Sequence, residues 1–118
     1  MRVGPFTAGH LSDGGPMGDR CARLLEDLVG STRAMCIPSC TSALELAAKV
    51  LDIGPGDEAI VPAYTFVSSA LAFANVGAVP VFVDVRPDTL NLDERMVEAA
   101  ITPRARAIVV VHYGGVAA

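Results

Sequence analysis

The chain has 118 residues, 52% of them hydrophobic and 19% charged, with a formal net charge of −4. That length suits one ordinary domain with a real core, and the apolar excess excludes a disordered polyelectrolyte. The acidic balance, with Lys49 as the single lysine, excludes the basic stripe of a nucleic-acid binder and a polybasic membrane patch.

From Met1 to Gly18 the sequence is rich in glycine and proline and reads as extended or irregular. A helix is predicted from Asp19, with Cys21, Leu24, Leu25, Leu28 and Val29 on one stripe and Gly30 closing it. Ala34 to Ile37 is a short apolar run, read as the first strand. Ser39 to Thr41 supply turn and capping residues, and Ser42 to Leu51 reads as a helix, with Ser42 and Glu45 at capping-box spacing. Gly54-Pro55-Gly56-Asp57 breaks the chain before a buried strand, Ala59-Ile60-Val61, ended by Pro62. Thr65 to Asn75 is the next predicted helix, with Val67, Ala70, Leu71 and Ala74 on one face. Val79 to Val85 is the third strand, where Pro80 is tolerated only near the start or at a sheet edge. Arg86-Pro87-Asp88 turns the chain into a helix over Asp93 to Ile101, stopped by Thr102-Pro103. Arg106 to Val111 is the fourth and most apolar strand, left through the loop Tyr113-Gly114-Gly115.

The predicted order is a leading helix followed by β-α-β-α-β-α-β. Near-continuous apolar strands alternating with helices define an α/β fold with parallel pairs covered by helices. A parallel sheet covers its last strand with a further helix, so the architecture is expected to continue past Ala118. The apolar run Ala107 to Val111 is far short of the roughly 20 residues a bilayer-spanning helix needs, and Met1 to Pro5 carries no secretory signal. Cys21, Cys36 and Cys40 have no metal-ligand spacing with each other or with His10 and His112, so no metal is expected. Reduced thiols in the cytoplasm are the reading.

Ligands of open α/β sheets bind beyond the carboxyl ends of the strands. Three segments reach that edge: Pro38 to Ser42, Ala63 to Phe66 and His112 to Gly114. The first enters a helix N-terminus with small hydroxyl residues, which suits a phosphate, although ordinary capping by Ser39, Thr41 or Ser42 is the commoner use of such residues. Phe66 offers an aromatic face, with core packing the commoner fate of a lone phenylalanine. Tyr64 and Tyr113 are candidate hydroxyl donors, and His112 reads as a hydrogen-bonded core histidine. Cys40 sits where a thiol pKa is lowered, yet no base pairs with it. Asp84 and Asp88 read as turn residues. Neither a Walker lysine nor a G-x-G-x-x-G fingerprint occurs.

Six blocks then carry a resemblance: Ser39-Cys40-Thr41-Ser42-Ala43-Leu44, Gly54 to Pro62, Tyr64-Thr65-Phe66-Val67, Val81-Phe82-Val83-Asp84-Val85, Ala99-Ala100-Ile101-Thr102-Pro103 and His112-Tyr113-Gly114. In this order and spacing, from about Ala8 to Ala118, they resemble the DegT/StrS-type sugar-nucleotide aminotransferases, which are pyridoxal-phosphate enzymes. Within that family Pro38 to Thr41, Asp84 to Thr89 and His112 to Ala117 are most similar to dTDP-4-amino-4,6-dideoxygalactose transaminases.

The resemblance implies the N-terminal part of the large cofactor domain of an aspartate-aminotransferase-like fold, shortened at the C-terminus and at the N-terminus. It implies that Thr41 and Ser42 hold the cofactor phosphate and that Phe66 stacks on its ring. Gly14, Gly15 and Tyr64 are weaker substrate-binding candidates, the two glycines belonging to a stretch similar to the family's N-terminal loop near the sugar. The family's Schiff-base lysine and pyridinium-pairing aspartate have no counterpart here; Lys49 lies in a different block, so no catalytic residue is expected in this chain and the chain alone is expected to be inactive. The implied activity is transfer of an amino group, from glutamate, to a dTDP-4-keto-6-deoxy sugar, in deoxysugar and cell-surface polysaccharide biosynthesis. A cytoplasmic homodimer is implied for the full-length protein. The alternatives are a transaminase or dehydratase of another keto-sugar nucleotide, or a non-catalytic α/β module that binds an anion or a partner.

Overall fold

The computed structural model describes residues 15–118. They fall into two compact units that divide between Cys40 and Thr41.

The first unit is built on helix α1 (Pro16–Val29). Its start lies three residues earlier than expected because Pro16 occupies the first turn, where a missing N–H costs nothing, and Gly15 takes the N-cap position. Gly30 ends it in the left-handed region at φ 67°, its N–H bonded to the Glu26 carbonyl, as the helix-ending glycine predicted. The strand expected over Ala34 to Ile37 does not form. No described segment pairs with it, and the Ala34 N–H is taken by the Glu26 carboxylate at 2.9 Å. A four-residue apolar run is ambiguous between strand and loop by pattern alone.

The second unit carries the sheet. Helix α2 (Cys40–Val50) leads into the tight Gly54–Asp57 turn, where the Asp57 carboxylate accepts from the Gly54 N–H at 2.9 Å. Because α2 starts at Cys40, Ser42 lies inside its first turn and not at the capping position that the Ser42–Glu45 spacing suggested. Strand β1 (Glu58–Pro62) is buried along its whole length, as a central strand of a parallel sheet must be. Helix α3 (Ser68–Ala74) follows, then β2 (Val79–Val83), helix α4 (Glu94–Ala100) and β3 (Ala105–Ile108). A short 3-10 turn over Tyr113–Gly115 comes last.

The strand order is β2-β1-β3 and both pairings are parallel, so among the described residues three strands stand where four were expected. Pro80 sits opposite Ala59 on the edge strand β2, the placement its missing donor demands. β2 stops at Val83 and not at Val85, because Val85 turns to make an antiparallel bridge with Leu92. β3 is shorter than the apolar run Arg106 to Val111, though the Val109 N–H still bonds the Ile60 carbonyl at 2.8 Å.

One face of the sheet holds the core: Ala59, Val61 and Val109 pack with Ala48 of α2 and with Ala72 and Phe73 of α3. The buried face of α3 is therefore Ser68, Ser69, Ala72 and Phe73, whereas Val67 and Leu71, expected to be inward, are exposed.

At the amino edge of the sheet Glu58 is buried, and its carboxylate accepts from the Thr102 hydroxyl and the Arg104 guanidinium. Asp93 caps α4, accepting from the Arg95 N–H at 3.1 Å and pairing with its guanidinium at 2.7 Å. Arg86 bridges Asp88 at 3.0 Å and Glu94 at 2.7 Å, fixing the turn between β2 and α4.

Candidate functional site

β1 and β3 run in the same direction, so the segments that leave them emerge at one edge of the sheet. From β1 the chain passes through Ala63, Tyr64, Thr65, Phe66 and Val67 before α3 begins. The helix expected from Thr65 starts at Ser68 because the Thr65 hydroxyl bonds the Ser69 hydroxyl at 2.8 Å and the Ser69 N–H reaches the Phe66 carbonyl at 2.9 Å. Those bonds make residues 65–67 a turn that leads into the helix.

That turn leaves the Phe66 side chain 74% exposed, so it contributes nothing to the core and keeps a free aromatic face. Two residues later, the Ser68 hydroxyl lies 2.9 Å from the hydroxyl of Thr41, the second residue of α2. Ser68 is buried and Thr41 is exposed. A hydroxyl has one donor and two acceptor positions, so this bond fixes Thr41 without exhausting it. Ser42, half-buried, belongs to the same first turn. The sequence therefore named Thr41 and Phe66 without their link, Ser68, which nothing in its local pattern distinguished from an ordinary helix serine.

The second pair at this edge is Tyr64 and Tyr113. The Tyr113 hydroxyl donates to the Tyr64 hydroxyl at 2.9 Å, and the ring centroids lie 4.7 Å apart at 39°. That bond, helped by burial, raises the Tyr113 pKa above the usual phenol value. His112, expected in the core, is exposed; its Nδ1 accepts from the Ala118 N–H at 3.0 Å. Cys40 is exposed at the start of α2, and Asp84 accepts from the Val85 N–H in the turn after β2. Gly15 belongs to the other unit as the N-cap of α1, and Gly14 lies outside the described residues. Among the described residues no group of three or more His, Cys, Asp and Glu side chains could hold a metal ion. Likewise, no described helix is long and apolar enough to cross a membrane.

The hydroxyl-lined helix start, an exposed aromatic ring and a tyrosine pair, without a net charge of their own, fit a phosphate joined to a planar ring. Such an edge on a parallel sheet is the small-molecule site of the α/β class. Within that class, residues 6–118 match the DegT/DnrJ/EryC1/StrS aminotransferase family, and the chain belongs to it.

It is 45% identical over 108 residues to the spore coat polysaccharide biosynthesis protein SpsC of Bacillus subtilis, covering 92% of this chain and 28% of that protein. It is 49% identical over 89 residues to the 3-amino-5-hydroxybenzoate synthase of Amycolatopsis mediterranei, covering 75% of this chain and 23% of the relative. The pyridoxal-phosphate form of a Streptococcus pneumoniae protein described as a sugar aminotransferase superposes with a TM-score of 0.84 at 35% identity. That superposition covers 100% of this chain and 32% of the other. The chain thus spans less than a third of the length of each of these proteins. Aminotransferases of this family depend on pyridoxal phosphate.

Proposed function

We propose that these residues form part of the large cofactor domain of a pyridoxal-phosphate-dependent aminotransferase that acts on a dTDP-4-keto-6-deoxy sugar. Glutamate is the amino donor and dTDP-4-amino-4,6-dideoxygalactose the product, a building block for cell-surface polysaccharide. The observation that carries the reading is the Thr41–Ser68 hydroxyl bond, which ties the start of α2 to the turn that exposes Phe66.

In this reading the hydroxyls of Thr41 and Ser42, with the N–H groups of the first turn of α2, hold the phosphate. Phe66 presents its ring face to the pyridine, excluding water from one side. Pyridoxal phosphate, when bound, supplies the electron sink that lets an amino group pass between carbon skeletons. Ser68 fixes the Thr41 hydroxyl, and Tyr64 and Tyr113 offer phenol groups to the substrate. The cytoplasm is the compartment of such nucleotide-sugar chemistry, and the whole protein is a homodimer.

The SpsC relative, with its polysaccharide role, supports a sugar substrate; the 3-amino-5-hydroxybenzoate synthase relative supports a second reading with a carbocyclic one. The test is to incubate the whole protein carrying these residues with pyridoxal phosphate, L-glutamate and a panel of keto-sugar nucleotides. The readouts are 2-oxoglutarate and the mass of the aminated product. Preference for the dTDP-4-keto-6-deoxy sugar is expected. Preference for a UDP-linked sugar overturns the substrate, amination of an added carbocyclic keto acid and of no sugar favours the second reading, and the absence of any pyridoxal-phosphate spectrum overturns the enzyme.

A further inference from the structure

Asn91 is 3% exposed and lies in the loop between β2 and α4, far in sequence from the three groups its side chain hydrogen-bonds. Its Nδ2 donates to the carbonyls of Val116 and Ala117, at 3.1 and 3.0 Å. Its Oδ1 accepts from the Tyr113 N–H at 2.9 Å. One carboxamide thus uses both donors and its acceptor on three backbone groups of a single segment, 113–117.

Besides these bonds, the Tyr113 hydroxyl reaches Tyr64 and the Val116 N–H bonds the Tyr113 carbonyl at 3.1 Å. Gly114 and Gly115 have φ of 61° and 84°, and residues 114–118 are exposed. The loop carrying Asn91 is itself fixed, by the Val85–Leu92 bridge and by the bond from the Arg86 N–H to the Asn91 carbonyl at 2.9 Å. The segment is therefore strapped to a firm support by one side chain, and Tyr113 is the residue whose own amide is caught.

We propose that Asn91 is a positioning residue: it straps segment 113–117 so that Tyr113 pairs with Tyr64, and this pair forms the wall that meets the keto-sugar substrate. Tyr64 is 48% exposed. Its hydroxyl accepts from Tyr113 and keeps its own proton to donate to a ligand oxygen. Two tilted phenol rings offer an apolar face to the C–H side of a sugar ring together with uncharged polar tips. The identity of the ligand rests on the function proposed above, whereas the strap stands on the hydrogen bonds alone.

The variant that tests the strap is Asn91→Asp. It keeps the shape of the side chain, loses both donors, and turns a negative charge toward two carbonyl oxygens. The chain has two tyrosines and no tryptophan, so the tyrosine band of its near-UV circular dichroism reports this pair. The Asn91→Asp protein is expected to lose most of that band while its far-UV spectrum is unchanged. A folded variant with the full tyrosine band overturns the strap. If the variant does not fold, amide exchange of the wild-type chain decides: slow exchange of the Tyr113 N–H and the Asn91 side-chain amide is expected, and fast exchange of both overturns the strap.

In the whole protein, Asn91→Asp should raise KM for the keto-sugar nucleotide at least several-fold and leave KM for glutamate unchanged. Equal changes in both, with the tyrosine band lost, overturn the substrate wall. A wild-type protein inactive on every keto-sugar nucleotide defeats the proposed function and leaves the spectroscopic result standing.

Discussion

Thr41 and Ser68 share a hydrogen bond of 2.9 Å between hydroxyls across 27 residues of sequence, joining the N-terminal turns of two helices. Removing Thr41 has two separable consequences. The buried Ser68 hydroxyl loses the Thr41 hydroxyl, and in the proposed function the phosphate loses a donor. With Thr41→Ala and Ser42→Ala combined in the whole protein, affinity for pyridoxal phosphate should fall by about 1–3 kcal/mol, the scale of lost charge-assisted hydrogen bonds. Affinity for pyridoxal, which lacks the phosphate, should stay within a few-fold. Equal losses for the two ligands would leave these hydroxyls a structural role alone.

Phe66 gives a cleaner separation of stability from binding. A phenylalanine in the core costs about 3–5 kcal/mol when truncated, whereas an exposed one costs within about 0.5 kcal/mol. At 74% exposure, Phe66→Leu should leave thermal unfolding of this chain almost unmoved. The same substitution in the whole protein should shift the absorbance of bound pyridoxal phosphate and weaken it. A thermal midpoint lowered as far as that of Phe73→Ala would return Phe66 to the core.

How far the sequence discloses this arrangement depends on the range of the interactions. Helix α1 was legible because its stripe and Gly30 are local signals, and β1 because Gly54 to Asp57 and Pro62 bracket a continuous apolar run. Ala34 to Ile37 is not a strand, and a four-residue apolar run does not distinguish strand from loop by pattern alone. Thr41, Phe66, Tyr64 and Tyr113 were each visible as residue types at strand ends. Their pairings were not, since Thr41 with Ser68 and Tyr64 with Tyr113 depend on how β1, β3 and two helices assemble. Asn91 was invisible for the same reason: its three partners lie beyond β3.

Acid stability should depend on two buried carboxylates. The Arg95 guanidinium holds Asp93 down to about 2, and the Thr102 hydroxyl with Arg104 holds Glu58 below the usual carboxylate range. In the unfolded chain both titrate near about 4. A depressed folded pKa stabilises the fold above the unfolded value, and that stabilisation disappears as pH falls toward the folded value. The thermal midpoint should be flat above about pH 5 and fall between about pH 4 and pH 2. Asp93→Asn should lower the midpoint at neutral pH and make the acid limb shallower. An acid limb of unchanged steepness in that variant would remove Asp93 from the account.

The turn opposite Pro55 gives a prediction that needs no ligand. Gly77 has φ of 90°, and a Cβ there would come within 2.9 Å of Pro55 Cγ. Both the left-handed backbone and the contact penalise a side chain, so Gly77→Ala should destabilise the chain by about 1–3 kcal/mol. Gly56→Ala, at φ 95° with open space around it, carries only the backbone part and should cost less. Denaturant unfolding of the two variants checks the order, and equal losses would remove Pro55 as the cause.

Lys49 is the one lysine of the chain, and it should not be the residue that joins the cofactor covalently. It lies eight residues after Thr41 on the same helix, so about 12 Å of axial rise separates it from the turn assigned to the phosphate. The phosphate and the aldehyde of pyridoxal phosphate sit on neighbouring ring positions, so a covalent lysine has to reach the phosphate end of the ligand and not the far end of this helix. Lys49 is also exposed, in the last turn of α2. The arginines offer no substitute, because a guanidinium does not give up its proton. Borohydride reduction of the isolated chain with pyridoxal phosphate, followed by peptide mass mapping, should therefore give substoichiometric labelling that pyridoxal without phosphate matches. Lys49→Arg in the whole protein should keep kcat within a few-fold. Stoichiometric trapping at Lys49, together with amino transfer to a keto-sugar nucleotide that Lys49→Arg abolishes, would reverse the assignment of the α2 N-terminus to the phosphate.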